Sequence, residues 1–258
     1  MSMVEYETRG RVALITLNRI EARNAINRQV AQEMEAAIDA MEADPAVYVG
    51  VLRANTQGDK PTFCSGQDLK LIGSPEGNST TARGGFAGLA KRERTKPLIA
   101  AVDGLATAGG CEIVLSCDMV VATTRSSFGL AEVKRNLIAG AGGLFRLPRA
   151  IGRATAMQVI LTGEPLAAER AYQLGLVNEL VAPGQAEEAA LALAAKICEN
   201  APLAVWASRK VVAAVEGNDD ATLWKLSDES MKGNMGSEDL KEGLAAFAEK
   251  RAPQWKGR

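Results

Sequence analysis

The sequence predicts a layered α/β domain followed by a tail of helices. Two observations carry this prediction: strand-like runs alternate with helix-like segments over residues 12–181, and only helix-like segments remain from about Glu187 onward. Repeated strand-then-helix order implies crossover connections, which are typical of a layered α/β core. With 258 residues, of which 47% are hydrophobic, the chain is long enough for one large domain with an appendage.

Short runs of β-branched and aliphatic residues predict the strands, and apolar residues three and four positions apart predict the helices. The predicted strands are residues 12–18, 47–54, 98–102, 120–122 and 177–181. The predicted helices are residues 26–41, 86–94, 151–161, 166–174, 187–200, 202–216, 222–232 and 239–250, and two more begin at residues 109–110 and 140–143. Residues 73–85 are rich in Gly, Ser and Thr and have no periodicity, which predicts a mobile surface loop.

Residues 97–132 carry the features that best indicate a chemical site. A predicted strand is followed by Gly109-Gly110 at the start of a helix, where glycines let a ligand approach unpaired backbone amides. The N–H of Gly109 is therefore a candidate donor to an oxyanion. Glu112 lies on the same first turn, and Glu132 follows the next strand, where a return of the chain can bring it opposite. Gly66, in an earlier loop, permits a similar close approach of the backbone.

The composition excludes several classes of function. Lys and Arg total 30 against 31 Asp and Glu, so a net charge of −1 offers no global field for nucleic acid or an anionic membrane. The chain has no histidine, which removes Ser-His-Asp and Cys-His nucleophile systems and leaves carboxylates or lysines to move protons. The four cysteines form no CxxC pair, which favours reduced thiols. Without a signal-peptide pattern or a long apolar run, we expect a cytoplasmic protein.

Several stretches together resemble the enoyl-CoA hydratase/isomerase family, also called the crotonase family. The matching segments follow family order along nearly the whole chain: residues 18–19 with 22–26, then 63–69, 97–112, 128–132, 140–143, 175–178 and 247–253. The resemblance implies an α/β, crotonase-like (ClpP/crotonase) spiral of ββα units over residues 1–190, followed by a C-terminal helical trimerisation region over residues 191–258. It also implies a homotrimer or a dimer of trimers.

The resemblance further implies which residues form the site. The oxyanion hole of the family corresponds to the backbone amides of Gln67 and Gly109. The two glutamates that hold and activate water correspond to Glu112 and Glu132, and the amide that supports this water corresponds to Gly140. The residues implied to bind acyl-CoA are Ala22, Arg23, Ala25, Gln67, Asp68, Leu69, Lys70 and Gly109. No metal is implied, and no cofactor beyond the coenzyme A that is part of the substrate.

The implied activity is the addition of water across the C2=C3 bond of a trans-2-enoyl-CoA, a lyase reaction of fatty acid metabolism such as β-oxidation. A Δ3,Δ2-enoyl-CoA isomerase, a dehydratase of a polar hydroxyacyl-CoA and a non-catalytic acyl-CoA binder are alternatives. The segment 104–110 is not a GxGxxG motif and lacks a P-loop lysine, which disfavours a dehydrogenase or a kinase.

Four positions depart from the common family pattern. Ala131 and Ala139 stand where proline is common, and Asn136 stands where glycine is common. Gln67 stands where alanine is frequent, which makes its side chain a candidate substrate contact. These departures leave the acyl preference open. Because residues 73–85 follow closely on Gln67, we also expect that loop to become more ordered when acyl-CoA binds.

Overall fold

A computed structural model describes residues 2–58 and 60–258. In chain order, its strands are β1 (Val4–Arg9), β2 (Val12–Leu17), β3 (Val49–Ala54), β4 (Thr62–Cys64), β5 (Thr80–Thr81), β6 (Gly85–Phe86), β7 (Leu98–Val102), β8 (Leu105–Thr107), β9 (Met119–Thr123), β10 (Ser127–Gly129), β11 (Leu166–Ala167) and β12 (Glu179–Val181). Its α-helices are α1 (Arg28–Ala43), α2 (Gly109–Val114), α3 (Gly143–Ile151), α4 (Arg153–Thr162), α5 (Ala168–Gln173), α6 (Ala186–Cys198), α7 (Pro202–Ala214), α8 (Asp220–Asn234) and α9 (Glu238–Glu249). Short 3₁₀ turns occur at Ile20–Ala22, Leu69–Leu71, Pro75–Gly77 and Glu132–Arg135.

Two sheets form the layers of the core. The larger has six strands in the order β1-β2-β3-β7-β9-β12, and the smaller has four in the order β11-β10-β8-β4. Within the larger sheet only β1 is antiparallel to its neighbour. Consecutive strands alternate between the sheets: β3, β7 and β9 lie in the larger sheet, and β4, β8 and β10, which follow them, lie in the smaller. The alternation produces the layered spiral that was expected.

The inner strands of the larger sheet are buried on both faces. β2 has six residues and all are buried, with Ile15 and Leu17 packing on the side of α1 while Val12 and Leu14 pack on the side of α6. A strand covered on both faces reads as a continuous apolar run, because no position along it meets water. This explains why residues 12–18 were recognised as a strand without any alternation of apolar and polar residues.

The helix predicted at residues 86–94 is wrong. Phe86 ends β6, and the chain then turns, with Ala87 (φ 55°) and Gly88 (φ 68°) in left-handed conformations. The spacing of Phe86, Leu89 and Ala90 resembles one helical turn, but an α-helix cannot pass through two left-handed residues. The apolar spacing reflects instead a tight turn that buries Leu89 and Ala90.

Residues 73–85 contain more local structure than their composition indicates. They include the 3₁₀ turn Pro75–Gly77 and one strand of the β5–β6 hairpin. Glu35 of α1 anchors the hairpin, since its Oε1 accepts hydrogen bonds from Thr81 Oγ1 at 2.7 Å and from the amide of Gly84 at 2.9 Å. The mobility of this segment and its ordering by acyl-CoA stay predictions.

Beyond α6, which packs on the larger sheet, the C-terminal helices attach to the core by a few contacts. Trp206 of α7 stacks edge-on against Tyr48 at 5.9 Å, and Arg209 pairs with Asp118 at 2.9 Å. None of the residues of α8 is buried. Large apolar side chains exposed along this region are Val212, Val215, Trp224, Met231, Met235, Leu244 and Phe247, the last 86% exposed. The predicted division between residues 190 and 191 falls within α6, and the division itself stays a prediction.

No single helix of residues 2–58 and 60–258 is both long and apolar enough to span a membrane. The pair α6 and α7 passes that test of length and composition only when the two helices are taken together, and they are bent by 108°.

Candidate active site

A cavity of about 1080 Å³ opens beside the smaller sheet. All of the residues assigned to the site from the sequence line it, namely Ala22, Arg23, Ala25, Gln67, Asp68, Leu69, Lys70, Gly109, Glu112, Glu132 and Gly140. They come from five segments that are separated in the chain, at residues 22–25, 67–70, 109–112, 132 and 140, and the fold brings these segments together. The role of each residue stays a prediction.

The amides of Gln67 and Gly109 belong to two backbone segments in close contact. Gly66 has a φ of 87°, and a Cβ atom built on it would lie only 2.9 Å from the nitrogen of Gly109. Only glycine therefore fits at position 66. Ile26 fixes the loop, donating its amide to Gly66 O at 2.8 Å and accepting from the amide of Asp68 at 2.9 Å. Among the described residues, neither Gln67 N–H nor Gly109 N–H has an acceptor, so both are free for a ligand.

The residue before this pair of glycines is strained. Ala108 has φ 52° and ψ −130°, a region that residues with a side chain rarely occupy. Such a conformation costs about 1–3 kcal/mol and persists only where its surroundings hold it. Here the amide of Ala108 donates to Gly129 O at 2.8 Å, which ties the turn to β10. The φ and ψ angles of Ala108 set the direction of the peptide that carries the Gly109 N–H.

The glycines that follow serve packing as well as access. A Cβ on Gly109 would lie 2.4 Å from Cζ of Phe86, and one on Gly110 would lie 2.1 Å from Cys64 O. The ring of Phe86 therefore forms a wall of the cavity directly against the candidate oxyanion donor. The sequence does not indicate this wall, because the spacing of apolar residues around Phe86 predicts a helix instead.

Glu112 is held by backbone amides. Its residue is only 3% exposed, and its Oε1 accepts hydrogen bonds from the amides of Ala141 at 2.7 Å and Gly143 at 2.8 Å. Burial raises the pKa of Glu112, while these two hydrogen bonds and the charge of Arg146 oppose that rise. Two amide donors stabilise the ionised form of the carboxyl. Of the residues in this turn, only Gly140 was predicted to belong to the site, although a run of glycines and alanine before a helix indicates several free amides.

Glu132 occupies a contrasting environment. It begins the 3₁₀ turn Glu132–Arg135, and its Oε2 is buried without a hydrogen-bond partner among the described residues. Burial, with a further contribution from the charge of Glu112, raises the pKa of Glu132 to about 7. Near neutral pH a large fraction of this carboxyl therefore carries a proton.

The residues implied to bind the coenzyme A moiety differ in their availability. The carboxylate of Asp68 pairs with Arg19 at 2.7 Å and accepts from the amide of Lys70 at 3.1 Å, so it is engaged within the protein. Arg23 and Lys70 are exposed and line the cavity, and neither has an ion-pair partner among the residues that the structure describes. Both cations are therefore available to a ligand in the cavity.

Comparison with known proteins decides the family. A family model described as Enoyl-CoA hydratase/isomerase matches residues 7–258. The chain belongs to the enoyl-CoA hydratase/isomerase family. The predicted family is thereby confirmed.

The chain is also similar over its full length to individual members of the enoyl-CoA hydratase/isomerase family. The chain is 38% identical to (E)-benzylidenesuccinyl-CoA hydratase of Thauera aromatica, with 98% of this chain and 99% of that protein covered. It is 35% identical to a short-chain-enoyl-CoA hydratase of Clostridium acetobutylicum, covering 97% and 96%. A crystal structure of enoyl-CoA hydratase from Mycobacterium tuberculosis H37Rv superposes with a TM-score of 0.94 at 44% identity, covering 100% of both chains. The crotonase-like fold is confirmed, and the hydratase relatives support the predicted enzymatic function.

Proposed function

We propose that the protein is an enoyl-CoA hydratase that adds water across the C2=C3 bond of a trans-2-enoyl-CoA to give a 3-hydroxyacyl-CoA. One observation carries the assignment: two carboxyl groups, Glu112 and Glu132, line the same cavity as two unpaired amides and have unlike environments. Hydration needs a base for water and an acid for carbon, together with a site for negative charge.

Negative charge develops on the thioester oxygen as the enolate forms. The amides of Gln67 and Gly109 are the proposed donors to that oxygen, since they lie on touching segments and have no other acceptor among the described residues. Removal of one such donor typically costs about 2.7–4 kcal/mol of transition-state stabilisation. The strained Ala108 supports this assignment, because strain of this kind often accompanies a preorganised site.

The two carboxyl groups divide the proton transfers. Glu112, stabilised in its ionised form by two amides, takes a proton from water as the water oxygen bonds to C3. Glu132, with its raised pKa, gives its proton to C2 as the enolate collapses. The amide of Gly140, beside the turn that holds Glu112, supports the water. The proton taken by Glu112 must then return to Glu132 before the next turnover.

The remaining parts of the proposal concern binding and assembly. Arg23 and Lys70 contact phosphates of the coenzyme A moiety, which belongs to the substrate, and the reaction uses no other cofactor or metal. The exposed apolar side chains of α7, α8 and α9 support a homotrimer or a dimer of trimers. Light scattering that gives a monomer at micromolar concentration would exclude this assembly. A cytoplasmic location and participation in β-oxidation stay predictions.

The test is loss of the conjugated-thioester absorbance when the protein is mixed with crotonyl-CoA, repeated with longer and with polar acyl chains. Hydration of at least one substrate is expected. A Δ3-enoyl-CoA and a 3-hydroxyacyl-CoA run in parallel test the isomerase and dehydratase alternatives. Tight binding of acyl-CoA without turnover of any of these substrates would make the protein a non-catalytic binder.

A further inference from the structure

The turn that holds Glu112 is itself held by a guanidinium group. We propose that Arg146 is a positioning residue, which keeps the amides of Ala141 and Gly143 directed at the carboxylate of Glu112. Arg146 lies on α3, does not touch that carboxylate, and acts through the backbone around it. The inference rests on the proposed role of Glu112 as the base.

The hydrogen bonds of Arg146 reach three separate segments. Nη1 donates to Ala141 O at 3.2 Å, in the turn whose amides hold Glu112, and to Ser116 Oγ at 2.9 Å, just after α2. Nη2 donates to Ala90 O at 2.7 Å, in the turn that follows Phe86. One side chain thus connects the segments that carry the amide donors, the base and the cavity wall.

The connection to α2 leads back to the base. Ser116 Oγ accepts from Arg146 and donates to the carbonyl oxygen of Glu112 at 2.7 Å. Arg146 is therefore linked to Glu112 by two routes, one through the main chain of α2 and one through the amides on its carboxylate. Loss of the hydrogen bonds in either route changes the position of the carboxylate relative to a bound water.

The guanidinium fits closely under the turn. Gly142 has a φ of 107°, and a Cβ atom built on it would lie 2.6 Å from Nη1 of Arg146. A guanidinium presents several N–H donors in a fixed plane, whereas a lysine ammonium is a single point charge on a flexible stem. Lysine at this position can therefore supply the charge but not all three contacts.

Arg146 also affects Glu112 through its positive charge. The charged or titratable groups that act on Arg146 are Glu112, Arg94, Cys117 and Arg149. Arg146 acts on Glu112, and the charge of Glu112 in turn acts on Glu132. The cation opposes the rise that burial imposes on the pKa of Glu112. Its removal should move the acid limb of the pH profile to higher pH, since protonation of the base abolishes its function.

Arg149 offers a matched control on the same helix. It lies three residues further along α3, pairs with Glu216 at 2.7 Å, and is 45% exposed in its side chain. Its contacts do not include the turn that holds Glu112. Substitution there changes the charge and stability of α3 without changing the proposed link.

The experiment compares Arg146→Met, Arg146→Lys, Ser116→Ala and Arg149→Met by steady-state kinetics, pH profile and hydrogen exchange. Because small misplacements in an active site can cost on the order of 10²-fold, Arg146→Met should lower kcat by about 10- to 100-fold, with KM changed much less. Arg146→Lys keeps the positive charge, so the acid limb of its pH profile should lie where it does in the unmodified protein, while its kcat should stay low. Ser116→Ala should lower kcat by less than Arg146→Met, and Arg149→Met should stay within about twofold of the unmodified protein.

Hydrogen exchange of peptides covering residues 140–146 tests positioning without any substrate. Faster exchange is expected in both Arg146 variants and not in Arg149→Met. If the unmodified protein hydrates no enoyl-CoA, the proposed function fails, while exchange still decides whether Arg146 holds the turn. If Arg146→Met does not fold, Arg146→Lys and Ser116→Ala carry the test. Unchanged exchange together with normal kcat in the folded variants would overturn the proposal.

Discussion

The two carboxyl groups in the cavity have contrasting hydrogen-bonding environments. Glu112 lies in a buried helix and accepts two amide hydrogen bonds on one oxygen. Glu132 begins a short 3₁₀ turn and leaves one buried oxygen without a partner among the described residues. Burial raises the pKa of both groups, so burial by itself does not separate their roles. The difference lies in the number of donors that each backbone presents.

This contrast explains how a chain without histidine can provide both an acid and a base near neutral pH. Two carboxyl groups of equal environment would share one proton without a preference. Here two amide donors favour ionisation of Glu112, while burial and the charge of Glu112, opposed by a single backbone hydrogen bond, favour the protonated form of Glu132. The contrast can be tested by substituting Glu112 or Glu132 one at a time.

The largest expected effect is the loss of either carboxyl group. Glu112→Gln and Glu132→Gln should each lower kcat by about 10² to 10⁴, with KM much less affected, since each removes one proton transfer. The double variant should be little worse than the poorer single variant, because every turnover needs both proton transfers and loss of either one already blocks it. Steady-state hydration of crotonyl-CoA measures all three, with the surface variant Glu188→Gln as control. Near-full activity of both single variants would refute the assignment.

The second expectation concerns pH. Because the pKa of Glu132 is raised to about 7, the fraction that holds a proton falls as the pH rises above that value. The value of kcat/KM should therefore decline by up to about tenfold per pH unit on the alkaline side. Glu132→Gln cannot lose this proton, so its residual activity should lack that limb. An alkaline limb that persists in Glu132→Gln would assign the acid to another group.

The third expectation concerns stability. A carboxyl whose pKa rises from 4.5 to about 7 on folding contributes stability below the lower value and loses it as the pH rises through the higher one. Glu132→Gln removes this dependence. Relative to the unmodified protein, the variant should therefore be more stable at pH 8 than at pH 5. The difference in the free energy of unfolding between the two proteins should be about 1–2 kcal/mol larger at pH 8, allowing for the partial exposure of Glu132. Urea unfolding at both pH values measures it, and an equal gain at each would contradict the buried environment of Glu132.

The smallest expected effect is at Asn136, where the Glu132 turn ends. Asn136 has φ 55° and ψ 34°, a left-handed conformation that glycine and asparagine tolerate. Asn136→Ala should lower the free energy of unfolding by about 1 kcal/mol, and Asn136→Gly should change it by only a few tenths. Urea unfolding compares the two variants. An unaltered stability of Asn136→Ala would argue against the left-handed turn.

Asn136 also shows that a departure from the family pattern can preserve the local backbone conformation. Glycine is common at this position in the family, and the substitution alone left the pocket in doubt. Its left-handed backbone explains why asparagine serves there, so the change preserves the turn. No comparable explanation emerges for Ala131 or Ala139.

The sequence by itself determined much of the larger sheet and the helical tail. The predicted strand at residues 98–102 coincides with Leu98–Val102, and the four predicted C-terminal helices correspond to α6, α7, α8 and α9. Long periodic segments and continuous apolar runs are local signals, so they can be read without knowing their neighbours. Ordered motifs likewise indicated the family, and with it Glu112 and Glu132 as a candidate pair.

Tertiary structure decided what depends on neighbours distant in the chain. β4, β8 and β10 are three residues long and were not predicted, because strands so short become recognisable only when paired. The false helix at residues 86–94 has the same origin, since local spacing does not reveal a left-handed turn. The two hydrogen bonds that favour the ionised form of Glu112 come from amides that lie 29 and 31 positions away in the chain. Hydrogen bonds and burial are properties of the folded surroundings, and the local sequence does not encode them.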